Sequence, residues 1–408
     1  MTRVLFVSYG GGHISMVLPV MERLRARLPG VETPLLALTT ALKAARKAGE
    51  PAFGFADFAH LSPGFAAHGA RLLASNSSPD VAEDESRAYL GINYCELEER
   101  LGPASAAARF EEAGRAAFYP VVFLGRVIDE IQPDVVVATN TPRAEAAALE
   151  AAAAKGLPTL LMNDLFDTQL EPVARRQVLP DILTVLAEPV ARHFLAEGVP
   201  AERVRVTGNP AFDRHFTDEA QRAGATYRAE RGWEGLRVIL WAASAERMAS
   251  VPEGERLDLP MEAEARLRAF VGAHPDTALI IRYHPGDWHR FPPPPAHPRL
   301  HVSPPGEEAI STVLTAADIV VTQASTVGLE AALLGKPVLT LEYSAIARDA
   351  FSYAARGLSI PCHTPDDIAR QLSSVLDGLT ASAGAYASDG RAAHRVADLI
   401  ASLAARGQ

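Results

Sequence analysis

Short apolar runs punctuate this chain, and stretches rich in Ala, Arg and Glu separate them. The first runs are VLFVSY (4–9), PLLALT (34–39), DVVVAT (134–139), TLLMND (159–164), ILTVLAE (182–188) and RVRVTGN (203–209). RVILWAA (237–243), ALIIRYH (278–284), LHVS (300–303), DIVVT (318–322) and PVLTLE (337–342) follow. Strands that are apolar throughout are buried on both faces, and the intervening helices supply the cover. The pattern therefore predicts an α/β protein with parallel sheets. It has too many strands for one compact, well-connected sheet. Two doubly wound, Rossmann-like domains facing a cleft fit better, and 408 residues suffice for them. The seam falls near Gly208-Asn209-Pro210, which gives domains over 1–210 and 211–408. A last helix, roughly Gly390 to Arg406, either closes the second domain or crosses back to the first.

Hydrophobic content of 48% and charged content of 22% describe an ordinary globular chain. A net charge of -10 argues against nucleic acid and against anionic membrane as partners, so an anionic ligand needs local cations. No segment reaches the roughly 18 apolar residues of a spanning helix. The opening MTRVLFVSYGGGH lacks a cleavable signal pattern. A cytoplasmic protein is expected, with peripheral membrane contact left open. Cys95 and Cys362 lie far apart and outside metal-ligand spacing. The acidic segment 81–100 reads as a surface helix, or a loop over a cleft, with solvated charges.

Four segments carry chemistry. Gly10-Gly11-Gly12-His13 follows the first strand and opens a helix. Gly11 and Gly12 let the backbone turn and a ligand approach, and His13 is either a helix cap or, at the mouth of a cleft, a proton acceptor or ligand contact. Ala243-Ser244-Ala245-Glu246 ends another strand. Its backbone N–H groups and the Ser244 hydroxyl suit phosphate, while Glu246 reaches a sugar hydroxyl or faces solvent. Arg282-Tyr283-His284-Pro285-Gly286 ends a third strand, with Arg282 and His284 on one face. A guanidinium beside an imidazole suits a diphosphate, against the alternative that Arg282 pairs with a structural carboxylate. Finally, Asp318 to Glu342 reads as strand, turn, helix, strand. Ser325 and Thr326 open its helix, where free N–H groups meet phosphate, and Glu330 lies one turn in, within reach of a ribose. In the first half, Asp164 ends a strand with Asp167 close behind; either it is a general base or it is a turn residue.

These segments carry a resemblance. The chain looks like the GT-B sugar-nucleotide glycosyltransferases, in the branch holding the peptidoglycan N-acetylglucosaminyltransferase and the non-hydrolysing UDP-N-acetylglucosamine 2-epimerases. The GGGH turn resembles the Gly-rich turn of the former. Val206-Thr207-Gly208-Asn209-Pro210 resembles the interdomain segment of the epimerases, and Ser325 through Gly335-Lys336-Pro337-Val338 the donor-binding helix of the group. The Arg-x-His-Pro segment is similar to a His-Pro motif of bacterial sialyl-, Kdo- and glycerophosphotransferases. The resemblance implies a ribose contact for Glu330 and donor-phosphate contacts for His284, Ser325 and Thr326.

The expectation is metal-independent glycosyl transfer from a nucleotide-activated donor, a UDP-sugar by resemblance, to a saccharide, lipid-linked or small-molecule acceptor. No cofactor is expected beyond the nucleotide-sugar co-substrate. The second domain would hold the donor through Ser244, Glu246, Arg282, His284, Ser325, Thr326 and Glu330. The first would bind the acceptor and supply a base, His13 or Asp164. Two alternatives stand beside it: a sugar-nucleotide 2-epimerase, and a non-catalytic nucleotide-sugar binding protein.

Overall fold

A computed structural model describes residues 2–76, 78–140, 142–166, 172–379, 384–386 and 388–406. The chain forms two units, Met1–Ala211 with Arg391–Gln408, and Phe212–Gly390. Each contains one six-stranded parallel sheet with flanking helices. In the first unit the strands are β1 (Val4–Tyr9), β2 (Leu35–Leu38), β3 (Val135–Thr139), β4 (Thr159–Met162), β5 (Ile182–Val185) and β6 (Val204–Val206), in the order β2-β1-β3-β4-β5-β6. In the second they are β7 (Arg237–Ala243), β8 (Thr277–Tyr283), β9 (Leu300–Val302), β10 (Ile319–Thr322), β11 (Val338–Leu341) and β12 (Ile360–Cys362), in the order β12-β11-β10-β7-β8-β9. The α/β architecture of two doubly wound parallel sheets is thus present.

Both sheets start at an interior strand and wind outward in two directions. The reversal falls between β1 and β3 in the first unit and between β7 and β10 in the second. At such a reversal the loops at the carboxyl ends of neighbouring strands diverge, and the crevice they leave is where open α/β sheets bind ligands. The residues explain the burial. Val4, Phe6, Val135, Val136 and Val137 are fully buried at the centre of the first sheet, as are Ile239, Leu240, Trp241, Ile280 and Val321 in the second. The edge strand β6 is largely exposed.

Strand β12 does not appear among the apolar runs. It has three residues, Ile-Pro-Cys, and Pro361 cannot donate to a ladder, which an edge position tolerates. The acidic segment also corrects the sequence reading. It forms the helix Glu83–Leu101, but half of that helix is core. Glu85 is 2% exposed and accepts N–H from Phe55 and Ala56, both at 3.0 Å. Burial raises its pKa, and those two amides pull it back. Gly91 brings the helix against Phe65–Asn76, and a Cβ there would lie 2.2 Å from the Phe65 carbonyl oxygen.

The helix Ala392–Arg406 belongs to the first unit and packs on the helix Gly11–Arg27. Arg395 Nε donates to the Thr207 carbonyl at 2.8 Å, and Arg27 meets Asp398 at 3.0 Å. Among the described residues, no helix is long and apolar enough to cross a membrane.

Candidate functional site

In the second unit the registers Thr322↔Ala242 and Ala243↔Tyr283 align the carboxyl ends of β10, β7 and β8. Their three turns consequently sit side by side. Ser244, Arg282, His284, Ser325, Thr326 and Glu330 line one cavity of about 520 Å³. Each is held differently. Ser325 caps the helix Thr326–Leu333 by accepting the Val327 N–H through its hydroxyl. Gly328 allows that helix to lie against β10, since a Cβ would meet Thr322 Cγ2 at 2.8 Å. The helix N-terminus therefore opens on the cavity with its partial positive charge.

Arg282 Nη1 donates to Ser303 Oγ at 2.7 Å and to the Glu308 carbonyl at 3.0 Å. Its hydrogen bonds thus go to a hydroxyl and a carbonyl; burial lowers its pKa, and the nearby Glu308 carboxylate opposes that shift. The Gly286 N–H donates to His284 Nδ1 at 3.0 Å, so a neutral ring carries its proton on Nε2. Glu330 is 5% exposed, and its Oε2 is taken by His215 and by Arg214 Nη2.

Glu246 is not solvated; it lines the same cavity with both carboxylate oxygens already engaged. It is 4% exposed, Oε1 accepts from Gln323 Nε2 at 2.6 Å, and Oε2 accepts the Ala345 N–H at 2.6 Å. Gln323 in turn accepts the Ser244 N–H and donates to the Ser244 carbonyl, both at 3.0 Å. These residues stitch the turns together. Arg247, which the sequence reading did not single out, lines the same cavity. It is clamped to Asp287 through Nη2 (2.8 Å) and Nε (3.1 Å) and approaches His284 Nδ1 at 3.5 Å. Three nitrogenous side chains and a helix N-terminus thus face one space, an arrangement that suits a diphosphate.

In the first unit His13 and Asp164 also meet. His13 Nε2 lies 3.5 Å from Asp164 Oδ2, and Nδ1 lies 3.6 Å from Glu145 Oε1. Burial alone would lower the His13 pKa, but Asp164 and Glu145 outweigh it and raise it to about 10. The two carboxylates thus favour the protonated, imidazolium form of the ring. Burial would raise the Asp164 pKa, but His13, Asn140 and the Leu165 amide bring it below the ordinary carboxylate value. Asn140 Nδ2 donates to Asp164 Oδ1 and to Asn163 Oδ1, each at 2.9 Å. Asn209 of the Gly-Asn-Pro segment donates to the Asp164 carbonyl at 2.6 Å.

The glycines divide their roles. The left-handed backbone sits at Gly10, φ 86°, one residue before the pair that the sequence reading favoured. Gly11 spends its N–H on Thr40 Oγ1 at 3.0 Å, while a Cβ on Gly12 would touch nothing. Asp167 lies outside the described residues. Among those described, no cluster of His, Cys, Asp and Glu is arranged to hold a metal ion.

Solved structures similar to this chain share its class of architecture. One is the UDP-GlcNAc 2-epimerase of Neisseria meningitidis bound to UDP-GlcNAc, with TM-score 0.61 at 14% identity over 98% of this chain and 100% of that one. Another is a putative UDP-N-acetylglucosamine 2-epimerase of Listeria monocytogenes, with TM-score 0.63 at 17% identity over 98% and 96%. The wall teichoic acid polymerase TagF, as its H548A variant, gives 0.56 at 13% identity over 99% and 90%. The fold is that of the GT-B class. No curated protein sequence matches the chain. A family model described as UDP-N-acetylglucosamine 2-epimerase matches residues 121–401, more than half of its length. The chain belongs to the UDP-N-acetylglucosamine 2-epimerase family. That match overturns the expectation of glycosyl transfer, which rested on motifs that GT-B transferases and epimerases have in common.

Proposed function

We propose that the protein is a sugar-nucleotide 2-epimerase acting on a UDP-linked 2-acetamido sugar. The observation that carries this reading is the convergence of the turns at 244, 284 and 325 on one cavity, in a chain of this family. Arg282, Arg247, His284 and the amides of the helix Thr326–Leu333 would receive the diphosphate, and Glu330 the ribose. Similar structures support the ligand class: the Neisseria meningitidis epimerase is bound to UDP-GlcNAc, and the Methanocaldococcus jannaschii epimerase is in complex with UDP-GlcNAc and UDP.

Epimerisation at C2 breaks a C–H bond and re-forms it on the opposite face. If the C1–O bond to the diphosphate breaks as the C2 proton leaves, the products are a glycal and UDP. Return of proton and diphosphate then completes the inversion. Cationic donors around the diphosphate favour that departure by stabilising its charge. The first unit offers a carboxylate to accept a proton, Asp164, and an imidazolium to give one, His13.

The test is incubation with UDP-GlcNAc in D₂O, followed by NMR. A C2-inverted product carrying deuterium at C2, with or without glycal, is expected. Binding of UDP with no exchange at C2 and no new sugar would refute the reading.

A further inference from the structure

Beside His13 stands a buried carboxylate to which the mechanism above gives no task. Glu145 sits in the first turn of the helix Ala144–Ala154, in a sequence otherwise composed of Ala and Leu up to Glu150. It is 0% exposed. A carboxylate in so apolar a helix is costly to bury unless its oxygens are satisfied. Here Oε1 accepts the Tyr9 N–H at 2.8 Å and the hydroxyl of Thr139. Thr139 ends β3, and its Oγ1 lies 3.1 Å from His13 Nδ1. A threonine hydroxyl has one proton. Because that proton goes to Glu145, Thr139 Oγ1 must accept from His13 Nδ1–H. The direction of each bond follows: His13 Nδ1–H to Thr139, Thr139 O–H to Glu145.

We infer that Glu145 is a positioning residue, which acts through the Thr139 hydroxyl to fix the ring orientation of His13 and to hold its Nδ1 proton, leaving Nε2–H directed at Asp164. The inference rests on the proposed acid–base role of His13. The carboxylates facing the ring come from two elements, Glu145 from the helix Ala144–Ala154 and Asp164 from the loop after β4. Side-chain exposure is graded along the line: Glu145 0%, His13 19%, Asp164 33%. The order is that of a buried anchor, a central ring and an outward carboxylate. Strand β3 lies beside β1 at the topological reversal, so Thr139 and the Gly-rich turn carrying His13 leave adjacent strand ends.

The experiment follows the His13 ring by NMR titration in the wild type, Thr139→Val, Thr139→Ser and Glu145→Gln. Thr139→Val keeps the side-chain shape and removes the hydroxyl. An opposite charge within about 4–6 Å shifts a pKa by about 1–3 units. Glu145→Gln should therefore lower the His13 midpoint by at least about 1 unit. Thr139→Val should change the Nδ1 proton signal and cut turnover without altering UDP affinity, and Thr139→Ser should restore both. An unchanged His13 midpoint in Glu145→Gln, or wild-type turnover in Thr139→Val, overturns the inference. If Glu145→Gln fails to fold, the Thr139 pair decides alone. If the wild type shows no epimerisation, the function is wrong, while the His13 titration and the Nδ1 signal still test the positioning.

Discussion

Arg282 gives the sharpest prediction for the cavity of the second unit. Replacing it with Met keeps an unbranched stem at this position of β8 and removes the guanidinium. Two hydrogen bonds fix that guanidinium on its far side, to Ser303 Oγ and to the Glu308 carbonyl, so it is held in place before any ligand arrives. A hydrogen bond to a charged group contributes about 1.5–3 kcal/mol. At about 1.4 kcal/mol per tenfold, UDP should bind Arg282→Met roughly 10- to 140-fold more weakly. Uridine, which lacks phosphate, should bind the two forms alike. Calorimetric titration of both ligands reads the difference. The same substitution leaves the Glu308 carbonyl and Ser303 without a donor, a cost of about 1 kcal/mol each, so thermal unfolding should be followed in parallel. Equal losses for UDP and uridine would mean that the site was deformed, not discharged. An undiminished UDP affinity would mean that no phosphate lies beside Arg282.

Three further outcomes are expected. His13 has a raised folded-state pKa, so its contribution to stability is full below its unfolded value near 6.5 and is lost as pH rises through about 10; urea unfolding should show the gap between wild type and His13→Gln closing over that interval. Gly91→Ala places a methyl 2.2 Å from the Phe65 carbonyl oxygen, a backbone atom that cannot swing aside, and should destabilise by about 1–3 kcal/mol in denaturant melts; a neutral result would refute the close helix packing. Ser325→Ala removes the cap of the helix Thr326–Leu333 and should cost about 1 kcal/mol of stability, with weaker UDP binding in the same calorimetric assay; unchanged values for both would remove that helix end from the site.

Much of the architecture was legible because burial on both faces writes itself as continuous apolar runs. Ile319 to Thr322 or Val135 to Thr139 read as strands with no knowledge of their partners. The strand ends were legible too, since turns at 244, 284 and 325 stand where small and polar residues interrupt apolar sequence. Strand β12 was not, because three residues containing a proline carry no periodicity. Glu145 was hidden for a related reason. In AEAAALEAAAA a single carboxylate reads as a helix-former on a solvated face, and only its contacts with Tyr9 and Thr139 show that it points inward. Glu246 shows the converse. Its place in a ligand-facing turn suggested a ligand contact, whereas its partners are Gln323 and the Ala345 amide, at distances of 77 and 99 residues along the chain. Pairings of that range have no local signature. The reaction itself was illegible for another reason: diphosphate recognition is common to several chemistries, and the groups that recognise it do not say which bond breaks.

The helix Ala392–Arg406 has a consequence for biosynthesis. Arg395 closes on Thr207 across 188 residues, so the first unit stays unfinished while the whole of the second is being made. Until then the helix Gly11–Arg27 lacks the neighbour that Val396, Ile400 and Leu403 belong to. An emerging polypeptide of this kind completes the inner module before the outer one. A nonsense codon between Phe212 and Ala392 would strand the N-terminal portion as a sticky intermediate, open to chaperones or proteolysis.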